Sequence, residues 1–149
     1  MFINILLPHK EKYSTNKASS VSLTVANNLE FSKYKNLIRI FGHNVDKPMH
    51  KKNFIGIENS WNFLKSKNQN LSDKMCEFIN KENKKFQIIE IHNRPYLVNS
   101  IYLNLENNNR LSLFLHNDPL EMKGSKTVED RSNLLSKLEK IYCVSNYIK

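Results

Sequence analysis

The chain has 149 residues and a mass of 17.6 kDa, the size of one domain, and 40% of its residues are hydrophobic, enough for a core without disulfides or metal ions. Its three glycines, Gly42, Gly56 and Gly124, are spaced so that a GxGxxG dinucleotide turn, a GxxxxGKS/T phosphate loop and a GxSxG nucleophile elbow are excluded. The net charge of +9 favours an anionic partner only weakly, because lysine outnumbers arginine 19 to 4 and nucleic-acid contacts usually favour arginine.

The elements of the first half alternate between strand and helix. An apolar run at residues 2–7 predicts a strand that ends at Pro8, and a helix follows over residues 18–29, with Val21, Val25 and Leu29 on one face. Strands are predicted over residues 37–41 and 54–57. A helical turn is expected at 61–64, a polar break at 65–70, and a helix from the cap Ser72 to Lys81.

The second half continues the alternation. A strand is predicted over residues 86–91, a helix begins near Pro95 and ends at 107–109, and a fifth strand covers 111–115. A helix over 128–140 begins with a capping box formed by Thr127 and Asp130, and a sixth strand covers 141–144. This order, with no linker or repeat, predicts one α/β domain over residues 1–149 with a mostly parallel, twisted sheet and helices on both faces.

Two cysteines, Cys76 and Cys143, stand too far apart in sequence to indicate a zinc site or a disulfide framework. The apolar start of the chain lacks the basic leader and cleavage site of a signal peptide, and no apolar run reaches the ~20 residues that span a bilayer. We therefore expect a cytoplasmic protein.

Polar residues follow several of the predicted strands, where parallel sheets bind their ligands. Two strand ends share a pattern of His, Asn, a charged residue and Pro. The residues after the first, fourth, fifth and sixth strands are Pro8, His9 and Lys10; His92, Asn93 and Arg94; His116, Asn117 and Asp118; and Ser145 and Asn146. The parallel contexts of His92 and His116 predict that these two side chains lie side by side at one edge of the sheet.

The strings IIEIHNRP, LSLFLHNDP and YCVSNYIK, in this order, resemble the amino-terminal domain of GT-B glycosyltransferases. The nearest group is the retaining family four, which includes lipopolysaccharide-core sugar transferases. The resemblance extends over most of the chain and is strongest over residues 86–149. It implies a three-layer Rossmann-like domain that forms the acceptor-side half of a two-domain enzyme.

The resemblance also implies an activity: transfer of a sugar from a nucleotide-sugar donor to a glycan or lipid-linked acceptor in the synthesis of lipopolysaccharide or another cell-envelope polysaccharide, without a metal or other cofactor. The histidine at position 116 would contact the transferring sugar as the catalytic-site residue. The other implied substrate-binding residues are His92, Asn93, Arg94, Asn117, Asp118 and Ser145. The donor domain with its Glu-x7-Glu motif would follow the sixth strand and is absent here, so the isolated chain is expected to be inactive.

The family usually has a glycine-rich turn after the first strand, whereas this chain has Lys17, Ser19 and Ser20 there. Amides at Ser19 and Ser20 would face the donor phosphate, with Lys17 adding positive charge, or the two serines would serve only as helix caps.

Other functions remain open. The alternative is a non-catalytic doubly wound α/β binding module, either receiver-like or nucleic-acid-binding. A receiver needs paired acids after the first strand, which are missing, and the lysine pairs do not form the patch of a nucleic-acid binder, so no nucleic-acid partner is expected. Docking on the inner face of an anionic membrane is a further possibility, based on loop lysines at positions 10, 12, 47, 51 and 52, but scattered solvated lysines are the favoured explanation.

Overall fold

The computed structural model describes residues 1–58, 64–82, 86–106 and 109–148. Six strands form one sheet in which every neighbouring pair is parallel, in the order β3-β2-β1-β4-β5-β6. The strands are β1 (Ile3–Leu6), β2 (Ile38–His43), β3 (Phe54–Ile57), β4 (Ile88–His92), β5 (Arg110–Leu115) and β6 (Lys140–Cys143). The helices are α1 (Ser20–Phe31), α2 (Lys67–Lys81), α3 (Leu97–Asn104) and α4 (Val128–Leu135). The predicted α/β domain is confirmed as a Rossmann-like three-layer fold.

The two faces of the sheet have separate cores because strand side chains alternate between faces. On one face, Leu6, Phe41, Ile89 and Leu113 pack against α2, α3 and α4. On the other face, the alternate residues of β1 and β2 pack against α1, the one described helix on that face, and against the loop residue Tyr13. The direction of the crossovers changes between β1 and β4, and in such sheets this switch point is where ligands bind.

Three predicted helix boundaries are wrong, and one of them is the end of α3, which lies at Asn104 rather than at 107–109. Helix α2 begins at Lys67, where Ser66 and Gln69 form a capping box, and the predicted cap Ser72 lies inside the helix with its hydroxyl donating to the Gln69 carbonyl. Helix α4 ends at Leu135 rather than at residue 140, although its predicted capping box at Thr127 is confirmed. The helical turn predicted at 61–64 falls on residues of which 61–63 lie outside the described part of the chain.

None of the described helices is both long enough and apolar enough to cross a lipid bilayer.

Candidate functional site

Four histidines lie at the carboxyl ends of four adjacent strands. His43 ends β2, His9 follows β1, His92 ends β4 and His116 follows β5. They form two pairs, with ring centroids 4.5 Å apart for His9 and His43 and 5.2 Å apart for His92 and His116. Since β1 and β4 are neighbours, the switch point of the sheet has an imidazole pair on each side. The predicted proximity of His92 and His116 is therefore observed.

His92 and His116 are joined by a hydrogen bond of 2.9 Å between Nδ1 of His92 and Nε2 of His116. His92 is only 2% exposed, and burial, with a smaller contribution from His116, lowers its pKa to about 3. Burial also lowers the pKa of the half-buried His116, although Glu11 opposes the shift. Both rings are thus neutral at physiological pH, and each has one N–H and one bare nitrogen.

The backbone and the side chain of Asn93 both explain why an asparagine follows the buried His92. Its backbone has a φ of 52°, in the left-handed region that asparagine tolerates better than most residues. Its side-chain Oδ1 accepts the His116 backbone N–H at 2.8 Å, and its own N–H donates to the Phe114 carbonyl. Asn93 is buried and fixes the chain at the end of β5, so its observed contacts position His116.

The remaining residues predicted to bind substrate lie around this pair with different exposures. Arg94 is half-buried, donates to the Asn93 carbonyl at 2.6 Å and lines a groove of about 220 Å³. Asn117 is exposed, and Asp118 caps the short 3-10 helix Pro119–Glu121 by accepting the Leu120 N–H. Ser145 is exposed after β6. Their predicted role in substrate binding stays a prediction.

A second groove, of about 270 Å³, lies beside His43 at the same edge. Its lining includes the exposed lysines Lys12, Lys17 and Lys47, with Asp46 as the one acidic side chain among the described lining residues. Three positive charges in one concave surface attract an anion. This surface, which we call the basic groove, contains the predicted phosphate-side residue Lys17.

The two predicted phosphate-side serines lie at the start of α1. Ser19 is the N-cap, and its hydroxyl accepts the Ser22 N–H at 3.2 Å. Ser20 is exposed and begins the helix. The observed contact of Ser19 is the helix cap, one of the two roles that the sequence left open.

Hydrogen bonds fix the two loops that wall the basic groove. Tyr13 is fully buried and its hydroxyl lies 2.6 Å from Nδ1 of His50, whose Nε2 lies 3.2 Å from the Glu30 carboxylate. A carboxylate only accepts, so in the neutral ring Nε2–H donates to Glu30 and Nδ1 accepts from Tyr13. The Thr15 N–H also donates to the Lys47 carbonyl. The two loops are therefore joined by hydrogen bonds that start from the buried Tyr13, and they do not pack independently.

No protein-family model, curated protein or solved structure matches this chain. The glycosyltransferase family therefore stays a prediction. Within the described residues, no cluster of three or more His, Cys, Asp or Glu side chains is placed to hold a metal ion.

Sequence reasoning did not identify the His9–His43 pair or the basic groove. The strand β2 extends to His43, two residues beyond its predicted end, and this extension brings His43 to the edge beside His9. The predicted membrane lysines are also separated. Lys12 and Lys47 line the basic groove, whereas Lys51 and Lys52 lie next to Asn53, which bonds to the carbonyls of Lys35 and Ile38 at the start of β2.

Proposed function

We propose that this chain is the acceptor-side domain of a glycosyltransferase that uses a nucleotide-sugar donor and a glycan or lipid-linked acceptor. The observation that carries the proposal is the hydrogen-bonded pair of His92 and His116 at the ends of neighbouring strands, next to the switch point. The pair combines the two His-Asn motifs on which the sequence resemblance rests. A carboxy-terminal donor-binding domain would complete the cleft and the enzyme.

His116 is the residue that would contact the sugar. Its Nε2 is occupied by His92, and no described residue bonds its Nδ1. In a half-buried neutral ring, Nδ1 can exchange a hydrogen bond with a sugar hydroxyl. Such a bond contributes about 1 kcal/mol in the ground state, and more where it shortens in the transition state.

The basic groove would hold the anionic part of a substrate. Lys12, Lys17 and Lys47 present three ammonium groups beside His43, at the same edge as His116. A phosphate bridging two of them gains charge-assisted hydrogen bonds, and no metal is required for that contact. The groove thus fits the diphosphate of a nucleotide sugar or the phosphate of a lipid-linked acceptor.

The test is a titration of the isotope-labelled full chain with UDP, GDP and their glucose conjugates, followed by backbone and histidine NMR signals. Binding should shift the signals of residues 92–94 and 116–118 together with those of the basic groove. His116→Ala should weaken the sugar conjugates at least fivefold more than the free nucleotides, since about 1 kcal/mol corresponds to this factor.

Lys17→Ala should weaken nucleotides and conjugates alike. Lys81→Ala is the matched control, because it removes the same charge from an exposed position in the last turn of α2. Shifts confined to other parts of the chain, or equal losses in the Lys17 and Lys81 variants, would contradict the proposal.

A further inference from the structure

The sheet face under α1 is covered over only part of its width. Among the described helices, α1 alone packs on this face, where its partners are β1 and β2. On β4 and β5, the side chains opposite the α2–α4 core include Glu90, His92 and Phe114, and the exposed Tyr142 follows on β6. The rings of His92, Phe114 and Tyr142 stack in a row, with centroids 4.7 and 4.4 Å apart.

A pocket of about 240 Å³ opens where α1 meets this part of the sheet. Its apolar walls are Ile3, Ile5, Val25, Leu29, Ile38 and Phe114. Its polar lining residues are Asn28, Ser32, Tyr34, Glu90 and His92. The volume is below the ~300–1,000 Å³ usual for drug-sized ligands, so an occupant must be small. The pocket faces the middle of the sheet and is separate from the basic groove.

Glu90 is an unpaired carboxyl group in this pocket. It lies in register with Ile5 on β1 and Ser112 on β5, and no described residue forms a hydrogen bond or an ion pair with it. Burial raises the pKa of Glu90 to about 7. Glu90 is half-buried, and a partly desolvated carboxylate without a partner has a cost that a bound cation would remove.

His92 contributes a second unsatisfied atom. Its Nδ1 bonds to His116, but its Nε2 is buried and has no hydrogen-bond partner among the described residues. The neutral imidazole can accept a hydrogen bond there when Nδ1 carries the proton. The Glu90 carboxyl group and Nε2 of His92, on the same face of one strand, thus offer unused hydrogen-bonding capacity to this pocket.

We propose that this pocket binds a small organic ammonium ion, whose apolar body lies against the walls and whose N–H groups bond to the Glu90 carboxylate. The chemistry of the lining excludes the alternatives. Glu90 is the only carboxyl group among the described lining residues, so an anion is repelled, and a neutral alcohol leaves the carboxylate without a counter-charge.

Given the groups that face Glu90, the charge of Glu90 itself determines how tightly a cation binds. Helix α1 contributes the neutral Asn28, the residue that caps its C-terminus is the neutral Ser32, and the other titratable lining residues are Tyr34 and His92. On the same sheet face, Arg110 and Lys140 lie at the starts of β5 and β6, and Arg110 is paired with Glu139. Binding of a permanent cation should therefore increase as Glu90 ionises.

The experiment titrates the full chain with benzylammonium chloride and, separately, with benzyl alcohol and phenylacetate as neutral and anionic probes. Heat of binding and the NMR signals of β4 and α1 are followed between pH 6 and pH 8. Benzylammonium should bind about tenfold more tightly at pH 8, because a group with a pKa near 7 ionises over this range. The neutral and anionic probes should bind at least tenfold more weakly than benzylammonium at pH 8.

Two variants address Glu90 and the pocket separately. Glu90→Gln keeps the shape and should abolish both the preference for the cation and its pH dependence, whereas Asn28→Trp should block the pocket and leave Glu90 intact. Glu121→Gln changes an exposed carboxyl outside the pocket and is the matched control. Lys17→Ala, which tests the proposed transferase site and lies outside the pocket, should leave benzylammonium binding within twofold. Equal binding of ammonium and alcohol, undiminished binding by Glu90→Gln, or no binding of benzylammonium by the folded chain overturns the proposal.

Discussion

Nδ1 of His92 and Nε2 of His116 lie 2.9 Å apart, so a single proton joins the two neutral rings. When His92 donates this proton, Nδ1 of His116 carries hydrogen and is a donor. When His116 donates, its Nδ1 is an acceptor. Nδ1 of His116 can therefore offer a hydroxyl group either a donor or an acceptor without the pair becoming charged. This suits a ligand whose hydroxyls both donate and accept.

Replacing His92 with phenylalanine should alter the response of stability to acid. The folded pKa of His92 lies near 3, below its ordinary value of 6.5, so the unfolded chain binds the proton first and stability is lost as the pH falls from about 6.5 towards 3. His92→Phe keeps a ring against Phe114 but does not titrate. The difference in unfolding free energy between the two proteins, measured by urea titration, should be constant above pH 6.5 and move in favour of the variant below it. A constant difference across that range would contradict the burial of a neutral His92.

Glu90→Gln should show the opposite pH dependence. Burial raises the folded pKa of Glu90 from 4.5 to about 7, so the folded chain retains the proton longer than the unfolded chain. The wild type then loses stability as the pH rises from about 4.5 to 7, by roughly 3 kcal/mol at most, since one pKa unit corresponds to about 1.4 kcal/mol. The variant should lack this loss, and Glu121→Gln should retain it. Parallel curves for wild type and Glu90→Gln would show that Glu90 is not desolvated.

Asn93 can be tested with two substitutions that separate its backbone from its side chain. Asn93→Gly keeps access to a φ of 52° but removes the bond to the His116 N–H, whereas Asn93→Ala loses both. We expect destabilisation by about 1–2 kcal/mol for glycine and by about 1 kcal/mol more for alanine. Thermal unfolding of both variants measures which one is less stable. If alanine were the more stable of the two, the left-handed backbone would not be the constraint.

Tyr13→Phe should destabilise the protein by about 1–3 kcal/mol, because it leaves Nδ1 of His50 without its partner in a part-buried site. The phenylalanine ring retains the stacking on Phe54, so the core itself is preserved. Backbone NMR shifts should be concentrated in the two loops around the basic groove. Tyr34→Phe, which removes a hydroxyl from an exposed tyrosine, is the control and should change stability little.

Gly124→Ala should be destabilising by about 2 kcal/mol or more. Gly124 has a φ of 86°, and a Cβ there would lie 2.6 Å from the Cα of Tyr96. The turn would have to move away from the residues that line the groove beside Arg94. The alanine variant should lower the melting temperature and shift the NMR signals of residues 94–96. An unchanged melting temperature would rule out this close approach.

The alternation of apolar runs and amphipathic segments was sufficient to predict the fold, because the four central strands β1, β2, β4 and β5 are largely buried and therefore stand out as short apolar runs. It also predicted that His92 and His116 meet, since parallel strands end at the same edge. Local helix signals were less reliable. Both Ser66 and Ser72 can cap a helix. Gln69 completes the capping box of Ser66, but it lies in a stretch whose polar composition predicts a break.

The contacts that connect distant segments could not be predicted from the sequence. The bond from Tyr13 to His50 joins two loops, and which loops meet depends on the strand order. Glu90 did give a signal, because a lone acid inside the apolar string IIEI stands in a position that should be buried. The sequence does not show how much of this sheet face α1 leaves uncovered. That uncovered width determines whether Glu90 packs under a helix or lines a pocket.

The position of β1 in the sheet has a consequence for synthesis on the ribosome. Although β1 is made first, it lies in the centre, where Ile3 pairs with Ile38 on one side and with Ile88 on the other. One edge of β1 must therefore wait until β4 has emerged, and during that interval it can pair with strands of other molecules. We expect nascent chains that stop before β4 to depend on chaperones, and chains that include β4 to be released from them.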